Sequence, residues 1–298
     1  MPPRFLLLTL KSVAVLVVAA QLLACGGGGN EFPPVVTGVS ARTLQYSRTA
    51  VINIGGNDLR NSMTVDTGGA CTNPSFAASS STSLVVLNCT VVKVGAMPLT
   101  VKDSSGKVIY QSSLTVPQPQ VTIATTITSS SGTSNGAVVV ELDPAVAPVT
   151  VDNFLGYVNR GFYSNTLFHR VIPDFMVQGG GYTTGLVKKT GQLAPIVLES
   201  NKGLSNLRGT IAMARLGDDP KDPEGSANSA TSEFFINVVD NLFLDYKSTA
   251  SPGYAVFGKV VKGMDVPDAI IQQTTHSISG FKDVPVTDMT ITSIRQTQ

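Results

Sequence analysis

The sequence predicts a mainly β protein in two domains, a small β-sandwich followed by a β-barrel capped by helices. The chain has 298 residues, more than one typical domain needs, and a proline-rich stretch at Pro117–Gln120 divides it. Its apolar residues fall in short β-branched runs separated by turn-forming residues, which is typical of strands. We therefore expect the sandwich at residues 35–118 and the capped barrel at residues 119–298.

Residues 1–25 have the features of a targeting segment and are excluded from the fold. Arg4 and Lys11 supply positive charge, an apolar run follows, and the segment ends in Leu22–Cys25, which resembles a bacterial lipobox. The cysteine of such a motif is acylated and becomes the new N-terminus. An ordinary secretory signal and an uncleaved membrane anchor are the alternatives. Lys11 disfavours the anchor, because it leaves the apolar run short of the roughly 20 residues that span a bilayer.

The residues after Cys25 indicate where the chain resides. Residues 26–34 begin with a run of glycines, which predicts a flexible tether. Gly26, rather than an aspartate, follows the cysteine, and this favours sorting to the outer membrane of a diderm bacterium. We therefore expect an extracytoplasmic protein that is lipid-anchored to a bacterial membrane on its periplasmic face.

The cysteine count agrees with this localisation. The chain has 3 cysteines, so acylation of Cys25 leaves Cys71 and Cys89 as one pair. An oxidising compartment favours a disulfide between them, which would add about 3 kcal/mol of stability on the chain-entropy model. Two buried free thiols are the alternative.

The N-terminal domain contains several short runs with the composition of strands. They are Ala50–Ile54, Ser83–Leu87, Met97–Val101 and Val108–Val116. The turn signals between them are Gly55–Asn57, Gly68–Gly69 and Ser104–Gly106. Strands of this length and spacing are typical of a small β-sandwich. The pattern resembles immunoglobulin-like modules of bacterial surface proteins, which implies either a spacer or a binding surface.

The C-terminal domain begins with a predicted hairpin. Val121–Ile127 and Ala137–Leu142 are predicted strands on either side of a polar loop, Ser129–Gly136. Further strands are predicted at Phe234–Val239, Ala255–Val261 and Met289–Ile294.

Two helices are predicted among these strands. The first has Pro148 in its first turn and ends before Gly161, because apolar residues recur every three or four positions between them. The second begins at Asp265, which is expected to cap its N-terminus. Strands with two separate helices indicate a closed barrel that the helices cap.

Three blocks of this domain match one family in order and content. Residues 148–181 read PVTVDNFLGYVNRGFYSNTLFHRVIPDFMVQGGG, 209–238 read GTIAMARLGDDPKDPEGSANSATSEFFINV, and 253–264 read GYAVFGKVVKGM. These blocks resemble the cyclophilins. The resemblance runs from about residue 121 to the C-terminus and implies an eight-stranded antiparallel barrel with two capping helices. It also implies peptidyl-prolyl cis-trans isomerase activity, which needs neither a cofactor nor a metal.

The resemblance implies roles for particular side chains. Arg170 matches the family's catalytic arginine, a permanent cation that can donate to the imide nitrogen of a twisted Xaa-Pro bond. Gln178 falls where the family orients that arginine, and Phe175 falls in the wall of the proline pocket. Ala214 and Arg215 fall where backbone groups bind the peptide. The other implied substrate contacts are Ile172, Met176, Glu233, Phe235, Phe243, Leu244 and Tyr254.

Some positions depart from the family or invite other chemistry. Glu233 replaces a glutamine; it either pairs with Arg170, so that Glu233→Gln raises activity, or faces solvent. Phe243 replaces a tryptophan of eukaryotic members, which implies weaker cyclosporin binding. His169 is assigned a structural or rim role, because bond rotation transfers no proton. The long loop Leu216–Ala230 is expected to be a solvated acidic loop rather than a calcium site.

The expected partners are polypeptides that contain Xaa-Pro bonds and, through the anchor, a membrane. A net charge of +1 gives no preference for nucleic acid. A non-catalytic chaperone that binds proline-containing segments, or a surface interaction protein, is the alternative function. Both need the pocket, whereas only an enzyme needs Arg170 in position.

Overall fold

The computed structural model describes residues 32–60, 62–129 and 132–298. The predicted leader with Cys25, and the tether up to residue 31, lie outside the described residues. Buried apolar side chains form one large cluster in the N-terminal domain and another in the C-terminal domain. The mainly β fold class predicted from the sequence is confirmed.

Two antiparallel sheets make up the described part of the N-terminal domain. Their strands are β1 (Val35–Arg42), β2 (Thr49–Asn57), β3 (Thr64–Asp66), β4 (Cys71–Phe76), β5 (Leu84–Val91), β6 (Gly95–Lys102) and β7 (Val108–Val116). One sheet has the order β1-β2-β5-β4 and the other β3-β6-β7. Ile52 and Leu87 of the first sheet and Leu99 of the second are buried in the same apolar cluster. The two sheets therefore share one core, as expected of a sandwich.

One predicted turn of this domain is wrong. Gly55–Asn57 continues β2, which pairs with β1 on one side and with β5 on the other. A Cβ atom at Gly56 would lie 2.0 Å from the carbonyl oxygen of Val35. The glycine here permits a close approach of two strands. In the sequence, a glycine with this role has the same appearance as a glycine in a turn.

A disulfide joins Cys71 of β4 to Cys89 of β5. The two strands are neighbours in the same sheet, and the cysteines are separated by 18 positions in the chain. The bond therefore ties an edge strand to its neighbour rather than one sheet to the other.

The C-terminal domain is built around a closed barrel. Its strands are β8 (Gln120–Ser129), β9 (Gly132–Leu142), β10 (Thr166–Ile172), β11 (Met176–Gly179), β12 (Tyr182–Thr183), β13 (Val187–Lys188), β14 (Thr210–Met213), β15 (Phe234–Asn237), β16 (Val256–Lys262), β17 (Thr275–Ile278), β18 (Phe281–Pro285) and β19 (Met289–Gln296). The barrel has the order β10-β11-β15-β14-β16-β9-β8-β19 with antiparallel neighbours. The predicted eight-stranded barrel is thus confirmed.

The predicted polar loop at Ser129–Gly136 is shorter in the structure. β8 and β9 pair as far as Ser129 and Gly132. Strands pair through their backbone groups, which small polar residues also have. Such residues can therefore extend a hairpin whose other end is already fixed by buried side chains.

The described residues contain three α-helices. They are α1 (Pro148–Asn159), α2 (Pro223–Ala227) and α3 (Asp265–Ile271). Helix α1 starts at Pro148 as predicted. The backbone N–H of Thr150 in its first turn has no acceptor within the helix and donates to Glu199 Oε2 at 2.8 Å. In α3 the N-cap residue is Met264 rather than the predicted Asp265. Asp265 lies inside the first turn, where its negative charge interacts favourably with the positive end of the helix dipole. None of these described helices has the length and apolar character to cross a bilayer.

Tyr46 connects the two domains. It lies between β1 and β2, is 4% exposed, and packs in the apolar cluster of the barrel. Burial raises the pKa of its hydroxyl, and so does the hydrogen bond that the hydroxyl donates to Asp152 of α1. Gln296 at the end of the last barrel strand donates to the Tyr46 carbonyl at 2.9 Å and accepts from Arg48 at 3.2 Å. The N-terminal domain is thus part of the structure that stabilises the barrel.

We expect Tyr46→Ala to lower the free energy of unfolding by about 3 kcal/mol, because a buried aromatic ring leaves a cavity. Tyr46→Phe keeps the ring and removes one hydrogen bond, at a cost of about 1 kcal/mol. Urea unfolding of the two variants measures this difference. Equal and small losses for both would show that the ring does not stabilise the barrel.

Candidate active site

An apolar cluster lies on the outer face of the barrel. Successive residues of a strand point to opposite faces, so Val177 and Phe234 enter the barrel core, whereas Met176 and Phe235 point outward. The outward cluster is nevertheless buried and consists of Met176, Ala212, Phe235 and Val256, with Ile172, Phe175, Leu204, Ala214, Leu244 and Tyr254 packed against it. The barrel therefore carries a second apolar site outside its core.

A cavity of about 500 Å³ opens over this cluster. Ten of the predicted site residues line it: Arg170, Phe175, Met176, Gln178, Ala214, Arg215, Glu233, Phe235, Leu244 and Tyr254. Ile172 and Phe243 are predicted substrate contacts that do not line it. Ile172 packs against the cluster, and Phe243 is 61% exposed and stacks on Phe175 with ring centres 5.5 Å apart. Phe243 thus extends the rim rather than the pocket.

Gln178 links Arg170 to Glu233. Arg170 and Gln178 are opposite each other on β10 and β11, and Arg170 Nη1 donates to Gln178 Oε1 at 3.3 Å. Gln178 Nε2 donates to Glu233 Oε2 at 2.9 Å. A guanidinium only donates and a carboxylate only accepts, so one orientation of the amide satisfies both partners. This chain of contacts holds the guanidinium at the edge of the cavity.

His169 forms a second contact with Glu233, in addition to the one from Gln178. The His169 side chain is 5% exposed, and its Nε2 lies 3.2 Å from Glu233 Oε2. Burial alone would raise the pKa of Glu233, but the hydrogen bond and charge of His169, together with the N–H of Gln178, hold it below its ordinary value. A Cβ atom at Gly181 would lie 2.5 Å from Glu233 Oε1, so that glycine makes room for the carboxylate.

The position of Glu233 corrects both alternatives drawn from the sequence. Its Oε2 accepts from His169 and Gln178, so it is neither the direct partner of Arg170 nor a solvent-facing side chain. The expectation that Glu233→Gln raises activity by freeing the guanidinium therefore loses its basis. His169, the partner of Glu233, also lines the cavity.

Sequence reasoning missed one wall of the cavity. It consists of Tyr182 and the hairpin of β17 and β18, which contributes Gly280, Phe281, Lys282 and Asp283. Asp283 Oδ2 lies 3.9 Å from Arg170 Nε, and Phe281 meets the Tyr182 ring edge-on at 5.1 Å. The available signal is Ser279–Gly280, two residues with positive φ between the paired Ile278 and Phe281. A two-residue turn of this kind is typical of a tight hairpin.

The aspartate carboxylates of the acidic loop Leu216–Ala230 contact residues of the loop itself or Arg215, which directly precedes it. Asp218 pairs with Arg215 at 2.7 Å, Asp219 accepts from Lys221 N at 2.9 Å, and Asp222 accepts from Gly225 N at 3.0 Å. Within the described ranges no three His, Cys, Asp or Glu side chains form a group that could hold a metal ion.

Comparison with known proteins gives the family. Residues 125–296 match the family model described as cyclophilin type peptidyl-prolyl cis-trans isomerase/CLD. The chain is 50% identical over 163 residues to peptidyl-prolyl cis-trans isomerase A of Dickeya dadantii, which covers 55% of this chain and 80% of that protein. It is 50% identical to peptidyl-prolyl cis-trans isomerase cyp18 of Streptomyces antibioticus, over 55% of this chain and 94% of that protein. Isomerase B of Escherichia coli is 46% identical over 54% of this chain and 94% of its own length. This chain therefore belongs to the cyclophilin-type peptidyl-prolyl cis-trans isomerases.

Proposed function

We propose that this isomerase rotates Xaa-Pro bonds in extracytoplasmic polypeptides and so assists their folding, with Arg170 as the catalytic donor. The observation that carries the proposal is a permanent cation held by Gln178 beside an apolar pocket. A proline ring bound in that pocket would bring the preceding imide bond to the edge of the cavity, which Arg170 lines.

The chemistry follows from the nature of the imide bond. Resonance keeps the bond planar behind a barrier of about 18–20 kcal/mol. In the twisted state the nitrogen loses this resonance and its lone pair becomes a hydrogen-bond acceptor. Arg170 can donate to that lone pair only in the twisted state, so its contribution lowers the barrier instead of tightening substrate binding. No covalent bond breaks and no proton is transferred.

The apolar wall supplies the other half of the mechanism. Met176 and Phe235 are buried at the base of the pocket, and Phe175, Leu244 and Tyr254 surround it. A ring held there excludes water from the guanidinium. A hydrogen bond to the imide nitrogen is stronger in that environment than in bulk water, because the local dielectric is lower.

The full chain should accelerate the slow, proline-limited phase in the refolding of a test protein. It should also accelerate cis-trans exchange in an Xaa-Pro peptide, measured by NMR. Binding of the same peptide without faster exchange would favour the alternative of a chaperone that binds proline-containing segments. The two functions are separated because the NMR experiment reports binding and exchange on one sample.

We infer that the enzyme acts outside the cytoplasm and is held at a membrane by a lipid on Cys25. Two observations support this. The lipobox-like Leu22–Cys25 follows an apolar run, and the remaining cysteines, Cys71 and Cys89, are joined in a disulfide, which is typical of oxidising compartments. The anchor and the tether would place the catalytic domain within reach of polypeptides that fold near the membrane.

Cys25→Ala is expected to abolish fatty-acid labelling and to release the protein from the membrane fraction. The matched control is the double variant Cys71→Ala, Cys89→Ala, which removes both other cysteines and should leave labelling intact. Labelling that persists in Cys25→Ala would exclude a lipid at this position.

A further inference from the structure

Arg215 has an unusual setting for an arginine beside a substrate cavity. It follows β14 directly, and its side chain is only 2% exposed. Nε donates to the Gly253 carbonyl at 2.8 Å, and Nη1 lies 2.8 Å from the Leu216 carbonyl and 2.7 Å from Asp218 Oδ1. The guanidinium carbon lies 4.6 Å from the centre of the Tyr254 ring. The side chain is thus used in contacts within the protein and offers little to a ligand.

These contacts join two parts of the chain that both line the cavity. One is the start of the acidic loop, which contributes Gly217, and the other is Tyr254, the residue after Gly253. Gly253 has φ +67°, and a Cβ atom there would lie 2.5 Å from the Leu244 carbonyl. Tyr254 N donates to the same Leu244 carbonyl at 2.9 Å. Arg215 therefore joins the loop to a segment that is itself packed closely against the backbone of Leu244, another residue that lines the cavity.

The Tyr254 ring connects Arg215 to the residues of the proline pocket. One side of the ring faces the guanidinium of Arg215, an arrangement that attracts through the electron density of the ring. The ring also meets Phe235 at 5.6 Å with an interplanar angle of 81°. Phe235 is the aromatic residue at the base of the pocket. The Tyr254 ring is thus in contact with Arg215 and with Phe235, and it forms one wall of the pocket.

We infer that Arg215 is a positioning residue that sets the wall of the substrate pocket in advance, and that Asp218 keeps it in place. This rests on the proposed function of the cavity. Only the planar fork of an arginine satisfies a carbonyl on one side and a carbonyl with a carboxylate on the other, so lysine is a poor substitute. Asp218 neutralises the charge of Arg215, so the pair does not select charged substrates.

The test uses the full chain with Arg215→Ala, Arg215→Lys and Asp218→Asn. Arg215→Ala is expected to raise KM, and the Kd of an Xaa-Pro peptide, about tenfold with kcat nearly unchanged, because charged hydrogen bonds that shape the pocket are lost. Arg215→Lys should recover little of this, and Asp218→Asn should raise KM about threefold, since the backbone contacts remain. The loss should be equal for peptides with Ala, Glu or Lys before the proline.

The matched control is Arg208→Ala. Arg208 pairs with Asp268 at 2.7 Å and donates to a backbone carbonyl, as Arg215 does, but it does not line the cavity. It should leave KM and Kd unchanged. Limited trypsin cleavage at the exposed Lys221 should become faster in Arg215→Ala and not in the control, because the loop is released.

Three results would overturn the inference. They are an unchanged Kd in Arg215→Ala, a loss confined to Glu-containing peptides, and full rescue by lysine. If Arg215→Ala does not fold, Asp218→Asn decides, and an unchanged KM and Kd there would refute the role. Absence of turnover in the parent would refute the proposed function alone, because peptide Kd still tests the positioning of the wall.

Discussion

Replacing Arg170 with alanine is expected to lower kcat/KM for Xaa-Pro isomerisation by about a hundredfold, the usual cost of removing one donor aimed at a transition state. The loss should fall mainly on kcat, because the guanidinium contacts the twisted state and the apolar pocket still binds the proline ring. Arg170→Lys should remain impaired, since a single ammonium cannot both donate to Gln178 Oε1 and reach the substrate in the same geometry.

Stability should change little in Arg170→Ala, because the side chain is 42% exposed and leaves no cavity in the core. Arg208→Ala is the control for loss of an arginine outside the cavity. NMR exchange spectroscopy on an Xaa-Pro peptide measures turnover, and thermal unfolding checks the fold. Near-parental exchange rates in a folded Arg170→Ala protein would refute the catalytic role of this residue.

Replacing Glu233 with alanine is expected to lower kcat/KM about tenfold. Both His169 Nε2 and Gln178 Nε2 lose their acceptor, and the Gln178 amide is then free to turn its N–H groups toward Arg170. Glu233→Gln should lower kcat/KM less, about threefold, because its amide oxygen can still accept from both donors but is an uncharged and therefore weaker acceptor.

The activity at acid pH should depend on the same carboxylate, that of Glu233. The pKa of Glu233 lies below its ordinary value in the folded protein, so its contribution to stability and positioning is fully present at neutral pH. That contribution is lost as pH falls through the lowered pKa, because the folded state then gains a proton. The parent should therefore keep its activity through the ordinary carboxyl range near pH 4.3 and lose it below.

Glu233→Gln should lack this acid limb while still folding, and the comparison of the two pH profiles is the measurement. Asp268→Asn is a control for removal of a carboxylate outside the cavity. Higher activity in Glu233→Gln, or the same acid limb in both proteins, would contradict the role assigned to Glu233.

Local sequence patterns were sufficient to predict the helices and strands whose residue patterns are strong. Helix α1 begins at Pro148 and ends before Gly161 as predicted, because the proline suits a first helical turn and the glycine has positive φ. The predicted run Val108–Val116 coincides with β7. Gly55–Asn57 was misjudged because a glycine that admits a neighbouring strand has the same sequence signature as one in a turn.

The candidate site was predicted through the matching motifs rather than through composition. Arg170, Phe175 and Gln178 lie within one continuous block, and they meet at the cavity as that block implies. The hairpin with Asp283 lies outside all three blocks and has weak strand character. Its place beside Arg170 follows from packing against β10, which no local pattern encodes.

The sequence by itself determined the mainly β fold class and the ends of the main helix, because strand alternation and helix ends are local properties of the chain. Its resemblance to one family, carried by continuous motifs, implied the eight-stranded barrel and most of the residues around the cavity. Only the tertiary structure decided how the polar side chains are paired. Gln178 meets Glu233 across 55 positions, and Arg215 meets Gly253 across 38. Such pairs are set by which strands and loops become neighbours when the barrel closes, so the same residues in the same order are compatible with several pairings until the backbone is in place.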